Sequence, residues 1–469
     1  MMSLWIDGEW IDTEEKVPVL DKYTGEIIAH VSQATREHVR KAVEGAQRAM
    51  QEHPLSVQER YRILSYISDQ LELQADRLAM TIAKEAGKPF SEARTEVLRA
   101  VQTFRISAEE AKRISGEMVP LSSPHAQGKL AFTLRVPIGV VCAISPFNFP
   151  LNLVAHKVAP AIAAGNAFVL KPATYTPLTA ISLMKLFEEA GLPKGYGNLV
   201  VGSGRTVGAY LLEEPGFAYY TFTGSPPVGK HLREAVGLRK TTLELGSNSA
   251  IVVHRDADLD LAADRCAKTA FNNAGQVCIS VQRIYVQEEV YELFLDKFKM
   301  AVEALKVGDP TDPSTQVGPM ISETEAMRAE AWIQEAVEAG ATLITGGTRD
   351  GAVVSPTVLT NTAPTCRVCS EEAFAPLVVV NRYQTLDEAI MHVNDSRFGL
   401  QAGIFTSSID VMLKFSKRVQ VGGVNINDTS AFRADEMPYG GVKESGVGRE
   451  GPRYAIEEMT ESRLVVIHN

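Results

Sequence analysis

A few side chains stand in settings that could carry covalent chemistry. Cys278 follows a Gly-Gln pair in FNNAGQVCIS (271–280), where small and polar neighbours could present a thiolate at a pocket. Alone, it also reads as an inert buried thiol. Glu244 ends an apolar run in LELGSNSA (243–250), just before a Gly turn. A carboxylate entering an apolar cleft there has its pKa raised and suits general-base work, although a cap or salt-bridge partner is the plainer reading. Asn148 sits between prolines in ISPFNFPLN (144–152); a rigidly held amide NH2 can serve as an oxyanion donor, or be an ordinary loop residue. FTGSPPVG (222–229) follows a strand and opens a helix, so its backbone N–H groups could meet a pyrophosphate, though it lacks the G-x-G-x-x-G spacing. The Cys366–Cys369 pair has no second pair or nearby His and is not a metal site.

The elements that must position these groups alternate between strand and helix. Val39, Val43, Ala46 and Met50 fall at helical spacing, as do Ile63, Ile67 and Leu71, in a region that stops at Gly87 with Pro89 beyond. Apolar runs at 138, 167, 198, 219 and 250 lie between helical stretches, which predicts βαβ units and a mostly parallel sheet. The alternation restarts near 247, with helices expected at 259–274, 289–306, 324–339 and 386–394. Residues 116–137 read as two strands joined by a polar turn, either an oligomerisation element or a surface hairpin.

A chain of 469 residues has room for about three domains at roughly 150 residues each. With 47 basic and 57 acidic residues its net charge is −10, and no Lys/Arg block is present. Nucleic acid and anionic membranes are therefore poor partners. The uncharged stretch Val136–Ala155 carries Pro137, Pro146, Pro150 and several polar side chains, so it reads as buried strand and loop, not a membrane span. The N-terminal residues show no secretory pattern. With five cysteines, an odd number thinly spread, a reduced cytoplasmic protein is expected.

Taken together, ISPFNFP, GNAFVLKPA (165–173), FTGSPPVG, LELGSNSA, FNNAGQVC, EEAFAPL (371–377), FGLQAGIFT (398–406) and MPYGGVKESGVGREG (437–451) resemble the aldehyde dehydrogenase superfamily over essentially the whole chain. The resemblance implies an α/β aldehyde dehydrogenase-like fold. A Rossmann-type dinucleotide domain would span 1–115 and 136–246, and an α/β catalytic domain 247–443. A small β oligomerisation arm would comprise 116–135 and 444–469, supporting a homodimer or homotetramer.

By the same resemblance Cys278 is the nucleophile, Asn148 and the Cys278 N–H hold the oxyanion, and Glu244 activates the water that hydrolyses a thioester. The implied cofactor contacts are Ser145, Pro146, Phe147, Lys171, Thr174, Gly224, Ser225, Gly229, Leu245, Glu372 and Phe374, with no metal. Lys171 would reach the adenosine ribose, Gly224 and Ser225 the pyrophosphate, and Glu372 with Phe374 the nicotinamide ribose. The wording departs from the family pattern in two places. Gly246-Ser247-Asn248 replaces a GGK-like sequence, as in the branch containing lactaldehyde dehydrogenases. Thr174 stands where strictly NAD-using members tend to carry Glu, which leaves both NAD and NADP open. Retention of Glu244 favours water over coenzyme A as acyl acceptor.

For the substrate, the positions implied are Arg105, His156, Val277 and Arg433, together with Asn148. Two arginines and a histidine at one mouth would bind a small anion through charge-assisted hydrogen bonds. The alternative is that Arg105 and Arg433 form structural ion pairs with Glu109 or Asp435. The pattern resembles the sulfolactaldehyde, phosphonoacetaldehyde and, more distantly, non-phosphorylating glyceraldehyde-3-phosphate dehydrogenases. Phosphate-using members tend to have Arg before the nucleophile; Val277 there favours a monoanion. The expected reaction is 3-sulfolactaldehyde to sulfolactate, with lactaldehyde, phosphonoacetaldehyde, glyceraldehyde 3-phosphate or a semialdehyde as alternatives. A catalytically silent binding homologue is the alternative from another class, against which the intact Cys278, Glu244, Asn148 and Glu372 speak.

Overall fold

The computed structural model describes residues 2–468. Its first sheet runs, in spatial order, Glu9–Ile11, Leu4–Ile6, Gly197–Leu199, Phe168–Lys171, Val141–Ile144, Tyr219–Thr223, Lys240–Glu244 and Gly446–Val447. The strands from Gly197–Leu199 to Lys240–Glu244 are parallel, and chain order places the third, second, first, fourth and fifth of them side by side. The winding reverses at Val141–Ile144, so the loops leaving the ends of Val141–Ile144 and Tyr219–Thr223 frame a crevice where such sheets bind ligands.

Val141–Ile144 and most of Phe168–Lys171 are apolar runs because both faces are covered, whereas Lys240–Glu244 reads KTTLE. One cover is the helix Asn152–Ala163, in which every residue is buried, beneath Val57–Leu73 and Phe90–Ala111. The helical region expected to end at Gly87 is two helices, Val57–Leu73 and Ala75–Ala86, broken at Gln74; Gly87 closes the second at φ +73°.

The second sheet runs Thr342–Thr345, Thr357–Thr360, Leu377–Tyr383, Arg283–Gln287, Ala250–Val253, Gln401–Phe405 and Gly423–Ile426, parallel except at its first pair. Its helices include Leu259–Phe271, Tyr291–Glu303, Glu323–Glu338 and Leu386–Asn394. A third sheet pairs Leu130–Pro137 with Thr460–Ile467 on one side and Met118–Val119 on the other.

Residues 444–459 do not join this arm. Gly446–Val447 pairs with Leu243–Glu244 on the edge of the first sheet, and the helix Pro452–Glu458 packs on Asn152–Ala163, sending Ile456 and Met459 into the first core. The stretch Val136–Ala155 resolves into strand, loop and the start of a buried helix. No helix among the described residues is long and apolar enough to cross a membrane.

Candidate active site

The helix Leu259–Phe271 stops short of the expected residue 274 because the chain turns into the left-handed region at Asn273 (φ +49°), Ala274 (+54°) and Gly275 (+69°). Each non-glycine residue held there costs about 1–2 kcal/mol, so surrounding contacts must impose the turn. Glu92 Oε2 accepts from Asn273 N at 2.9 Å, Gln276 Nε2 donates to Asn273 O at 3.0 Å, and Gln276 Oε1 accepts from Ile321 N at 2.9 Å. At Gly275 any Cβ would meet Ala375 O at 2.0 Å, so only glycine fits.

The turn delivers Cys278, half-buried, to a cavity of about 320 Å³ between the two sheets. Its Sγ lies 3.2 Å from the Tyr439 hydroxyl. Burial pushes the thiol up to about 11, against the Tyr439 hydrogen bond, which pulls it down.

Asn148 is placed by the loop leaving Val141–Ile144. Its Nδ2 donates to Gln276 O at 2.8 Å, which fixes the amide two residues before the sulfur and leaves its second hydrogen for a ligand. Asn148 Oδ1 is buried and unpartnered.

Glu244 ends the strand Lys240–Glu244, and neither of its buried carboxyl oxygens has a hydrogen-bond partner. Burial, then the neighbouring Glu450 charge, holds this carboxyl well above the usual range. Gly440 leaves room for it: a Cβ there would come within 2.9 Å of Glu244 Oε1. Glu450 behaves oppositely. Burial opposes its ionisation, but Lys157 and Arg433 hold it down at about 2. Lys157 Nζ donates to Glu450 Oε1 at 2.9 Å and Thr223 Oγ1 at 2.6 Å, while Arg433 donates to Glu450 Oε2 at 3.0 Å.

The substrate positions read from the sequence divide. Arg433 and Val277 line the cavity; Arg433 lies 3.7 Å over the Tyr439 ring and its Nε has no hydrogen-bond partner. Arg105 does not line it. This side chain is exposed and pairs with Glu72 at 3.0 Å, neither at the mouth nor with Glu109. The arginine of that helix facing the cavity is Arg99, whose guanidinium holds Asp435 at 2.9 and 3.2 Å. Six residues turn an α-helix by about 600°, which leaves the two arginines roughly 120° apart.

His156 also stands behind the wall. It is buried, its Nε2 lies 2.9 Å from Asp435 Oδ1, and burial holds its pKa down, so it braces Asp435 instead of meeting a ligand. The sequence reading missed Lys88, Glu92, Glu96 and Arg99. Lys88 Nζ pairs with Glu96 at 2.5 Å over the Phe149 ring. The spacing Glu92, Glu96, Arg99 was itself a signal, a polar stripe along one face of a partly buried helix.

The cofactor positions cluster at the carboxyl ends of the first sheet. Ser145, Pro146 and Phe147 follow Val141–Ile144, and Ser145 Oγ is buried without a partner. Gly224 and Ser225 follow Tyr219–Thr223; Ser225 is exposed and makes no side-chain cap to the helix Pro226–Val236 that it opens. In that helix Gly229 permits contact with Leu245, whose Cδ2 would lie 2.5 Å from a Cβ. Lys171 is buried and lowered to about 8 by desolvation, with Nζ donating to Pro172 O. Thr174 Oγ1 donates to Gly202 O at 2.8 Å.

From the second domain, Glu372 Oε1 accepts from Ser247 N at 3.0 Å, and burial raises its carboxyl to about 7. Phe374 meets Phe147 edge-on at 5.8 Å. An orphaned hydroxyl, an uncapped helix start and a carboxylate across the switch-point crevice fit a dinucleotide. Among the described residues, no group of three or more His, Cys, Asp or Glu is placed to hold a metal ion.

Comparison with known proteins gives this geometry a context. The chain is 52% identical over 467 residues to a 3-sulfolactaldehyde dehydrogenase of Priestia aryabhattai, covering 99% of this chain and 98% of that protein. It is 40% identical over 473 residues to a lactaldehyde dehydrogenase of Methanococcus vannielii, covering 99% and 100%. Among solved structures, aldehyde dehydrogenase 21 from Physcomitrella patens, in complex with the reaction product succinate, superposes with a TM-score of 0.97 at 38% identity, covering 100% and 98%. The glyceraldehyde-3-phosphate dehydrogenase GapN of Methanocaldococcus jannaschii, complexed with NADP, gives 0.93 at 39%, covering 97% and 100%. Residues 10–465 match the aldehyde dehydrogenase family, and the chain belongs to it.

Proposed function

We propose that this NAD(P)-dependent aldehyde dehydrogenase oxidises a short 2-hydroxy aldehyde carrying a sulfonate, 3-sulfolactaldehyde, to its carboxylate. One observation carries the anionic part: two arginines, Arg99 and Arg433, line the cavity that holds Cys278. Each is balanced by a carboxylate, Asp435 and Glu450, so charge-assisted donors can meet an anion's oxygen with no lone cation in the wall. Arg99 flanks the same space, and Val277 adds no third charge beside the sulfur, in keeping with a monoanion. The relative named for 3-sulfolactaldehyde supports this choice.

In this reading the Cys278 sulfur adds to the aldehyde carbon. The oxygen takes up negative charge against the second Asn148 Nδ2 hydrogen and the Cys278 N–H. A nicotinamide dinucleotide held in the crevice would supply the hydride acceptor. Residues at the crevice, Ser145 to Phe147, Lys171, Gly224, Ser225, Gly229, Leu245, Glu372 and Phe374, would hold the dinucleotide, with Thr174 leaving room for a 2′-phosphate. Oxidation leaves the acyl group as a thioester on Cys278. Glu244, ionised, takes a proton from water as its oxygen attacks the acyl carbon, and the thiolate leaves. The sum is aldehyde, water and oxidised cofactor giving carboxylate, reduced cofactor and two protons.

Initial rates with 3-sulfolactaldehyde, lactaldehyde, glyceraldehyde 3-phosphate, phosphonoacetaldehyde and succinic semialdehyde test the choice. The sulfonate should give the largest kcat/KM; a larger value for any other overturns it. Lactaldehyde is the second reading, favoured by the fact that Arg99 and Arg433 already have carboxylate partners.

The arm carries an apolar patch, with Leu130 opposite Ile467 and Phe132 opposite Val465, and with Leu130, Leu134 and Ile467 exposed. That patch suits assembly into a homodimer or homotetramer, which sedimentation would read. Five free cysteines, one of them the proposed nucleophile, suit a reducing compartment such as the cytoplasm.

A further inference from the structure

Glu92 stands apart from the other charged groups around the cavity. Lys88 pairs with Glu96, Arg433 with Glu450, and Arg99 with Asp435. Glu92 has no ion-pair partner among the described residues. One oxygen, Oε2, is spent on Asn273 N at 2.9 Å; the other, Oε1, accepts no hydrogen bond and is not closed off from the cavity it lines.

Neighbouring polar groups are largely committed. Thr95 Oγ1 donates to Ser91 O and Thr269 Oγ1 to Arg265 O. Asn152 is bound to Asp435 and Thr103, and the Tyr439 hydroxyl lies on Cys278.

Burial raises the Glu92 carboxyl to about 7, against Lys88 and the Asn273 N–H, which favour its anion; a carboxylate in the wall of a site that receives an anion is costly unless it meets a donor. An ionised carboxylate only accepts hydrogen bonds. A sulfonated or plain 2-hydroxy aldehyde offers one donor, the hydroxyl on the carbon next to the carbonyl. We infer that Glu92 is a specificity-determining residue whose free Oε1 accepts a hydrogen bond from that hydroxyl. This inference rests on the proposed aldehyde oxidation and deepens it. Like-charge repulsion turns the anionic end away from Glu92 and toward Arg433 and Arg99, which leaves the hydroxyl facing Oε1. The grip on Asn273 adds a second consequence, because that residue opens the left-handed turn leading to Cys278.

The test compares matched aldehydes with and without the 2-hydroxyl, lactaldehyde against propanal and 3-sulfolactaldehyde against 3-sulfopropanal. Wild-type enzyme should favour the hydroxylated member of each pair in kcat/KM. Glu92→Gln keeps one carbonyl oxygen for Asn273 N but loses the charged acceptor, and should cut that preference by about tenfold, the worth of a hydrogen bond to a charged group. Glu92→Leu should abolish the preference and also slow both members together, because the turn loses its anchor. A Glu92→Gln ratio equal to wild type, or equal losses on both members, overturns the inference and leaves Glu92 a positioning residue only. Wild-type oxidation of propanal with no preference to lose overturns it while leaving the aldehyde activity standing. Failure of the wild type on every aldehyde overturns both.

Discussion

The Tyr439 hydroxyl lies 3.2 Å from the Cys278 sulfur, and the ring that carries it is covered by the Arg433 guanidinium 3.7 Å from its centroid. A donor on the sulfur and a cation behind the ring both favour the thiolate, against a burial that pushes the thiol up to about 11. Arg433 and Cys278 are thus joined through one side chain.

Tyr439→Phe removes the donor and keeps the ring. Loss of one such hydrogen bond is worth about 1 kcal/mol, so thiol alkylation by iodoacetamide at pH 8 should slow several-fold, with its pH profile displaced upward. An unchanged profile would detach Tyr439 from the nucleophile.

Arg99 and Arg105 lie on one helix, but only Arg99 faces the cavity. Arg99→Ala and Arg433→Ala should each raise KM for a sulfonated aldehyde at least tenfold, with a smaller effect on propanal, since a charge-assisted hydrogen bond is worth about 1.5–3 kcal/mol. Arg105→Ala deletes an exposed pair with Glu72, worth about 0–1 kcal/mol, and should leave KM for both aldehydes at the wild-type value. Steady-state kinetics on the three variants decides.

The contrast between these arginines marks what the sequence could reveal. Cys278, Glu244 and Asn148 lie in short segments whose wording carries the family resemblance, so each could be named without knowing its neighbours. A cavity wall depends on helix phase, where an error of six residues turns the side chain away. His156 fell near the right place but on the wrong layer, because Asp435, which claims it, is distant in sequence. The left-handed turn at 273–275 is imposed by Glu92 and by the crowding of Ala375 on Gly275, contacts that local propensity does not encode. Likewise nothing in a two-residue strand, Gly446–Val447, tells which sheet edge it will extend. The alternation of strands and helices was legible, since buried parallel strands such as Val141–Ile144 and Phe168–Lys171 are largely apolar.

The Thr174 hydroxyl is turned onto Gly202 O, and under the proposed cofactor contacts a carboxylate at this position would repel a 2′-phosphate. Thr174→Glu should lower kcat/KM with NADP by about tenfold or more relative to NAD, since like-charge contacts cost several kcal/mol. An NADP-to-NAD ratio of kcat/KM unchanged from wild type would remove position 174 from cofactor choice.

Asp435 is held well below the usual carboxylate range: burial opposes ionisation, but His156 and Arg99 outweigh it. A carboxyl depressed in the folded state contributes stability above its unfolded pKa, near 3.9, and loses it as pH falls through the lower folded value. Asp435→Asn should therefore destabilise the protein at pH 7 by about 3 kcal/mol, because His156 and Arg99 lose their partner. The deficit should shrink toward pH 3. Thermal melts across that range would show it; a deficit independent of pH would assign Asp435 to packing alone.

Glu244 has the opposite sign. Its folded carboxyl is raised by burial and by Glu450, so the protonated form is the one the fold favours. Stability from this group is full below the unfolded pKa, near 4.3, and is lost as pH rises through the raised folded value. Yet thioester hydrolysis needs the ionised form, so deacylation should accelerate with pH over the range in which Glu244 destabilises the fold. Glu244→Gln separates the two effects. It should raise the melting temperature at pH 9 relative to wild type, while reduced cofactor appears in a burst of about one equivalent per Cys278, followed by a turnover slowed at least a hundredfold, the usual worth of a general base. A variant that turns over at the wild-type rate, or whose steady state keeps the wild-type pH profile, would take the base role away from Glu244.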